Sequence, residues 1–387
     1  MGLDFPDYRE RGIVNLMGSL SLGMGGPGRG YPPLDLLPPE RVAKARNLLL
    51  LVIDGLGFQF LQERSPDAWL ARHLAGRLSS VAPPTTAAAV TCFLTGQAPA
   101  QHGFTGWFTW LRELGAVTTV LPFQTRHGGL DLSGVAPGPL ALSGSGPLFD
   151  LIPRECHVLN PASIAFSPFS RAFAGQAHLH PYASLDEFLE RISGILTPPG
   201  RRYLYAYWPF FDYLAHDQGV GSLAARRHFD LLDAALEDLR HRLTGSDTLM
   251  VISADHGFID SPADRHSHLA EHPELARCLT LPLCGEPRCL FCYVRPGAAA
   301  DFEAYVGSQL GERAELFHSR ELVERGLFGL EPLDPRLGER VGDYTLVMRD
   351  NYLFKDRLPS EKPYHHIGVH GGFSAGEVYV PLILDQA

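Results

Sequence analysis

The strongest constraint on the fold is an apolar run, LLLLVI at residues 48–53, which ends at Asp54. A strand that is apolar at every position must be buried on both faces, as in a parallel sheet covered by helices. Residues 203–208 and 248–253 form two further runs of this kind. Apolar residues at helical spacing lie between these two runs, so this part of the chain is predicted to be a strand, helix, strand unit.

The alternation of strands and helices extends beyond this unit. A helix is predicted to begin at Ser184, because Glu187 three residues later completes a capping box. The whole pattern favours an α/β fold with an open, mostly parallel central sheet and helices on both faces. Turn-rich sequence interrupts the pattern from about 259 to 345, with a cysteine-containing strand and a helix near 301–310. We therefore predict one domain over 1–387 with a small inserted α+β cap at about 259–345.

The composition excludes several classes of protein. The formal charge of −10 argues against binding of a nucleic-acid polymer. No run of about 18 apolar residues occurs, and the charged start MGLDFPDYRERG does not resemble a secretory leader, so we expect no membrane association. Six cysteines are few for 387 residues and predict no disulfide framework. We predict a cytoplasmic protein in which the cysteines at 278–292 are buried apolar side chains, not metal ligands.

Polar side chains follow each of the three apolar runs. In open α/β sheets, ligands bind beyond the carboxyl ends of the strands, so these positions are the first candidates for a site. Carboxylate oxygens and imidazole nitrogens are both ligands that Zn²⁺ accepts. Any one of these residues alone is more typical of a turn, a cap or the core, but together they predict a metal site at one edge of the sheet. The candidates are Asp54, Asp212, His216, Asp255, His256 and His370.

A pair of threonines adds a candidate nucleophile. Thr85 and Thr86 precede an Ala-rich segment, AAAVTCFLTG, which is predicted to be a helix. Free backbone N–H groups at a helix N-terminus bind phosphate oxygens readily. Helix capping alone would explain a threonine there. A hydroxyl bound to zinc, however, is acidified and becomes an effective nucleophile, which a free threonine is not at neutral pH.

In order and spacing, these motifs resemble the alkaline phosphatase superfamily, and most of all its nucleotide pyrophosphatase/phosphodiesterase branch. The resemblance covers about residues 48–380 and rests on VIDGLG, PPTTAAAVTCFLTGQAPAQHG, the Asp212 and His216 pair, SADHG and GVHGG. It implies an alkaline phosphatase-like fold that binds two Zn²⁺ ions. One ion would be held by Asp54, Asp255, His256 and the Thr86 oxygen, and the other by Asp212, His216 and His370.

The resemblance also implies a reaction. Thr86 would attack phosphorus in line, and a water activated on the other zinc would hydrolyse the phosphothreonine-type intermediate. Counting back from Thr95 places the nucleophile at Thr86, with Thr85 as the alternative. His102, His365 and His366 are expected near the metals but not as ligands. Since two zinc ions balance three carboxylates and an alkoxide, a singly charged small-molecule diester or nucleotide could bind without further cations.

One departure from the family pattern leaves the substrate class open. The branch usually has Asn side chains that bind a phosphate oxygen, but Ala89 and Trp107 stand at the expected positions. The interpretation is a two-zinc phosphodiesterase or nucleotide pyrophosphatase. A phosphomonoesterase or phosphonate hydrolase of the same superfamily is the alternative, with Lys362 or Arg126 as the added cation. An inactive member that binds a nucleotide or a partner is the alternative from another class.

Overall fold

The computed structural model describes residues 2–64, 66–135, 137–363 and 365–387. A seven-stranded sheet forms the centre of the fold. Its strands in chain order are β1 (Asn47–Ile53), β2 (Leu74–Ser79), β3 (Glu155–Pro161), β4 (His178–Tyr182), β5 (Arg202–Trp208), β6 (Thr248–Ser253) and β7 (Tyr379–Gln386). Across the sheet the order is β2, β7, β6, β1, β5, β3, β4. All of the strands are parallel except β7, which runs antiparallel to both neighbours.

The three apolar runs of the sequence are β1, β5 and β6, in the middle of this sheet. Val52 of β1 pairs with Tyr207 of β5 on one side and with Ser253 of β6 on the other. The three strands therefore end at the same level, and whatever follows them is brought to one edge. This confirms the predicted mostly parallel sheet.

Helices cover both faces of the sheet, in two sets whose members contact one another. Their amphipathic or wholly apolar composition agrees with burial against a sheet that is itself apolar on both sides. One set contains Ile13–Gly23, Pro39–Lys44, Thr86–Thr95, Pro99–His102, Pro139–Leu142 and Pro168–Ala174. The other contains Phe58–Arg64, Trp69–Arg72, Leu185–Leu196, Phe210–Gln218 and Leu223–Arg242.

A second, antiparallel sheet lies beside the central one. Its seven strands follow the order Ala314–His318, Tyr344–Met348, Cys289–Cys292, Cys284–Glu286, Phe108–Leu111, Ala116–Thr119 and Gln124–Thr125. Four of these strands fall within or at the end of the cap predicted at about 259–345, while the last three come from an earlier part of the chain. Helices Pro273–Cys278, Ala299–Tyr305, Ser319–Glu324 and Leu337–Arg340 accompany this sheet. The helix predicted near 301–310 begins two residues earlier and ends in a π turn, Val306–Leu310.

None of the helices in the described ranges is long and apolar enough to span a bilayer.

A buried ion pair joins the second sheet to the loop that precedes β7. Arg288 donates from Nε to Glu377 Oε1 at 2.7 Å, and the two side chains are 1% and 0% exposed. Glu377 also accepts from Gly372 N at 2.8 Å and from Ser374 Oγ at 2.7 Å. The remaining guanidinium donors of Arg288 bind the carbonyl oxygens of Asp350 and Tyr352. The pair is thus saturated with hydrogen bonds and fixes the loop that carries His370.

Replacement of Glu377 by Ala should lower the free energy of unfolding by about 3–5 kcal/mol, because it leaves the Arg288 charge buried and uncompensated. Urea unfolding of the variant measures this change. The double replacement Arg288→Met with Glu377→Met is the control, and it should cost less than Glu377→Ala alone. A loss below about 1 kcal/mol for Glu377→Ala would contradict this description of the junction.

Candidate active site

The ends of β1 and β6 bring two carboxylates together. Asp54 follows β1 directly, and Asp255 lies two residues past the end of β6. Asp255 Oδ1 accepts from the backbone N–H of Gly55 and of His256, each at 3.0 Å. Gly55 has φ of 76°, and a Cβ there would lie 2.5 Å from the Phe258 ring, so this tight turn requires glycine.

A helix and a late loop supply the other donors. Asp212 and His216 lie four residues apart on helix Phe210–Gln218, a spacing that places both on one face, with 3.6 Å between Asp212 Oδ1 and His216 Nε2. His370 follows the short strand Gly368–Val369, which pairs with Ile259–Asp260 beyond β6. Its ring centroid lies 5.1 Å from that of His216 and 3.7 Å from that of His256.

The six side chains predicted as ligands form two adjoining groups. Within each group, one donor atom per residue lies within 4.8 Å of the others. The groups meet where His256 Nε2 lies 3.9 Å from Asp212 Oδ1. The first group is Asp54, Asp255 and His256, and the second is Asp212, His216 and His370. This partition is the one that the family resemblance implied.

The three histidines present the same nitrogen to the site. Nδ1 of His216, His256 and His370 lies 2.9, 3.1 and 3.2 Å from the carbonyl oxygens of Gly368, Gly257 and Pro84 respectively. Because a carbonyl oxygen only accepts, each Nδ1 carries the proton, and the Nε2 lone pair is free for a metal. Burial lowers the pKa of His216 to about 3 and that of His370 well below its usual value, so both rings are neutral at pH 7.

The carboxylates lack partners on the side that faces the site. Among the described residues, Asp54 Oδ1, Asp212 Oδ1 and Asp255 Oδ2 are buried and have no hydrogen-bond partner. Burial, and then the charge of neighbouring carboxylates, raises the pKa of Asp54 and of Asp212 well above the usual range. Buried anionic groups of like charge are costly unless a cation pairs with them. This donor set therefore fits a pair of divalent cations such as zinc.

The two threonines have different environments. Thr85 is the N-cap of helix Thr86–Thr95 but makes no capping bond, since its hydroxyl donates to Glu286 Oε1 at 2.6 Å. It is 1% exposed. Thr86 is partly exposed, and its Oγ1 lies 3.2 Å from His256 Nε2 in the first donor group. The Thr86 hydroxyl and the uncapped first turn of the helix thus lie together beside the donor atoms.

A cavity of about 890 Å³ opens above these groups and is lined by Asp54, Thr86, Asp212 and His216 among others. Its walls combine aromatic side chains with aliphatic and proline residues, and serine, asparagine and glutamine side chains and the carboxylate of Asp217 supply the polar part of the lining. Within the described part of the chain, no lysine or arginine lines it. The aromatic residues are Trp107, Phe169, Tyr205, Tyr207, Phe210 and Tyr213.

Three histidines were expected near the site but not as ligands. His102 is buried outside both donor groups, with its Nδ1 accepting from Phe104 N at 3.1 Å. His365 and His366 line the cavity, and the His366 ring centroid is 4.2 Å from that of His216.

The two cations considered for a monoesterase, Arg126 and Lys362, line a different cavity. Arg126 pairs with Asp356 and Glu361 and stacks on the Phe108 ring at 3.9 Å. Its charge is therefore compensated outside the two donor groups.

Two residues near the site were not predicted. Tyr207 donates a hydrogen bond from its hydroxyl to Asp54 Oδ2. The alternation of Tyr203, Tyr205 and Tyr207 on β5 is the sequence feature that could have indicated this tyrosine. Glu286 lies in the second sheet and also accepts from the backbone N–H of Trp107 at 2.7 Å. Burial raises its pKa to about 7. Nothing in the local sequence distinguishes this glutamate, because its partners are about 180 or more residues away.

Comparisons with known proteins identify the family to which the chain belongs. The family model of type I phosphodiesterase/nucleotide pyrophosphatase matches residues 48–373. The chain belongs to this family. Membership indicates a hydrolase that acts on phosphoesters. A comparison with curated protein sequences finds no match.

Solved structures of phosphodiesterases and phosphonate hydrolases share the fold. Murine ectonucleotide pyrophosphatase/phosphodiesterase 5 is 15% identical, with 87% of each chain covered and a TM-score of 0.64. An inactive form of that murine protein was solved in complex with AMP, and it aligns with a TM-score of 0.63. Phosphonoacetate hydrolase from Sinorhizobium meliloti 1021, in complex with phosphonoformate, is 16% identical, covers 93% of this chain and 92% of its own, and has a TM-score of 0.64.

The two donor groups predict the metal content. The purified phosphodiesterase-family chain should bind about two zinc ions, and Asp54→Asn and His370→Ala should each reduce this by about one, because each removes a ligand from a different group. Metal analysis after dialysis measures the content. His318→Ala, at a half-exposed histidine outside both groups, is the matched control and should leave the content unchanged. Equal zinc content in all three variants would contradict the assignment of ligands.

Proposed function

We propose that this chain is a two-zinc phosphodiesterase or nucleotide pyrophosphatase, with Thr86 as the nucleophile. The observation that carries the proposal is the position of Thr86 beside the first of two adjoining donor groups, on the wall of a cavity whose described lining contains no lysine or arginine. The first ion would be held by Asp54, Asp255, His256 and Thr86, and the second by Asp212, His216 and His370.

Thr86 suits the role of nucleophile better than Thr85. The Thr85 hydroxyl is buried and donates its proton to Glu286, whereas the Thr86 hydroxyl lines the cavity. Zinc ions, when bound, would acidify the Thr86 hydroxyl and offset the negative charge of the phosphoryl group.

The chain's own groups then account for the rest of the reaction. The Thr86 oxygen attacks phosphorus and the alkoxy leaving group departs on the opposite side, which leaves a phosphothreonine that water hydrolyses. Free N–H groups in the first turn of helix Thr86–Thr95 are placed to bind non-bridging oxygens. Tyr207 holds Asp54 by a hydrogen bond to Oδ2, so that Oδ1 stays directed into the site.

The cavity favours a diester over the alternatives within the superfamily. A phosphomonoester or phosphonoacetate carries more negative charge than a diester, and the described lining offers no lysine or arginine to offset it. A purely binding role is disfavoured, because three carboxylates with buried oxygens that lack a partner among the described residues are costly in a protein that has no use for a cation. Phosphonate hydrolysis remains the second candidate, since the fold is shared with phosphonoacetate hydrolase.

The proposal extends to the setting of the enzyme. The substrate is a small-molecule diester or nucleotide that fits a cavity of about 890 Å³, not a nucleic-acid polymer. A cytoplasmic location is supported by the six cysteines, which are all free and buried. We also propose that residues 1–387 form one domain with an inserted cap at about 259–345.

Replacement of Thr86 by Ala should lower kcat by about a thousandfold or more, because the variant lacks the attacking oxygen. Thr86→Ser keeps a hydroxyl and should retain measurable activity. Steady-state hydrolysis of bis-p-nitrophenyl phosphate by zinc-loaded protein measures both. A Thr86→Ala variant with wild-type kcat would rule out this nucleophile.

The wild-type enzyme should have a higher kcat/KM for bis-p-nitrophenyl phosphate than for p-nitrophenyl phosphate, because no lysine or arginine among the described lining residues offsets the second charge of the monoester. Parallel assays with both substrates test the diesterase proposal. A large preference for the monoester would refute it in favour of the phosphomonoesterase alternative.

A further inference from the structure

Glu286 is a fourth buried carboxyl group beside the two donor groups. It is 7% exposed and ends the strand Cys284–Glu286 of the second sheet. Its Oε1 accepts from Thr85 Oγ1 at 2.6 Å and from Trp107 N at 2.7 Å. Both donors are neutral, so these contacts orient the carboxylate without cancelling its charge.

Glu286 contacts residues that adjoin both the nucleophile and the second donor group in the chain. Thr85 directly precedes Thr86 in the chain. Gly371, next to His370, packs so closely that a Cβ on it would lie 2.7 Å from Glu286 Cβ. The charge of Glu286 also contributes to the raised pKa of Asp212. A negative charge at Glu286 therefore acts on the same space that a bound phosphoryl group would occupy.

The charge of Glu286 changes the charge balance of the site. The ligand carboxylates and the Thr86 alkoxide already balance two zinc ions, so Glu286 makes the assembled site net negative. The described lining of the cavity offers no lysine or arginine in compensation. In a poorly solvated site, one extra negative charge on the substrate increases its electrostatic repulsion from Glu286 enough to weaken binding severalfold.

We propose that Glu286 is a specificity-determining residue that disfavours dianionic phosphoryl groups, and thereby selects singly charged diesters over monoesters and phosphonates. The inference rests on the proposed diesterase function. It also assigns Trp107 a role: its backbone N–H orients Glu286 and is not free to bind a phosphate oxygen in place of the missing Asn.

The test compares kcat/KM for p-nitrophenyl phosphate and bis-p-nitrophenyl phosphate, with zinc-loaded protein at about pH 8.5, where Glu286 is ionised. Glu286→Gln removes the charge but keeps an oxygen that can accept from Thr85 and Trp107. We expect the monoester-to-diester ratio to rise on the order of tenfold in this variant. Thr85→Val is the matched control, since it removes the hydrogen bond and leaves the charge, and its ratio should stay at the wild-type value.

Two results would overturn the inference while the diesterase proposal stands. One is a monoester-to-diester ratio of kcat/KM in Glu286→Gln that equals the wild-type ratio. The other is an equal rise of this ratio in Thr85→Val, which would show that the lost hydrogen bond, and not the lost charge, causes the change. A wild-type preference for the monoester would instead refute the proposed function itself.

If Glu286→Gln fails to fold, as judged by its thermal melt, inhibition of the wild-type enzyme tests the same inference. Phenylphosphonate, a dianion at this pH, should inhibit more weakly than its singly charged monomethyl ester. Equal or tighter binding of the dianion would overturn the inference.

Discussion

Three carboxylates, two buried and one partly exposed, converge at one edge of the central sheet, and each has a buried oxygen without a hydrogen-bond partner among the described residues. Like charges held together in this way raise the free energy of the folded chain unless cations bind between them. The rest of the site follows from this constraint. The histidines direct Nε2 toward the carboxylates because carbonyl oxygens hold their Nδ1 protons, and the Thr86 hydroxyl lies within 3.2 Å of one of these nitrogens.

The fold explains how residues so distant in sequence reach one place. The strand register aligns the ends of β1, β5 and β6, so Asp54 and Asp255 become neighbours. Asp255 accepts a hydrogen bond from the backbone N–H of Gly55, although 200 residues separate the two in sequence. The loop that carries His370 is fixed by the saturated ion pair between Arg288 and Glu377. The second sheet thus contributes to the site twice, through this anchor and through Glu286.

The sequence was sufficient for the central sheet and for the six side chains that the structure brings together in two donor groups. Fully apolar strands have few alternative environments, and the polar residues that end them must share an edge. It was not sufficient for the second sheet, because strands Phe108–Leu111 and Ala116–Thr119 join partners from a much later segment. Glu286 could not be found for the same reason, since its role depends on contacts with Thr85 and Trp107 that only the tertiary structure creates. Tyr207 was detectable in principle, from the alternating tyrosines of β5.

The proposed reaction requires that the two donor groups hold two metal ions next to Thr86. Anomalous diffraction from crystals of the zinc-loaded protein, recorded at the zinc absorption edge, locates these ions. We expect two peaks about 4 Å apart, one beside Asp54, Asp255 and His256 and the other beside Asp212, His216 and His370. A single peak shared by both groups, or peaks only at the cysteines of residues 278–292, would contradict this expectation.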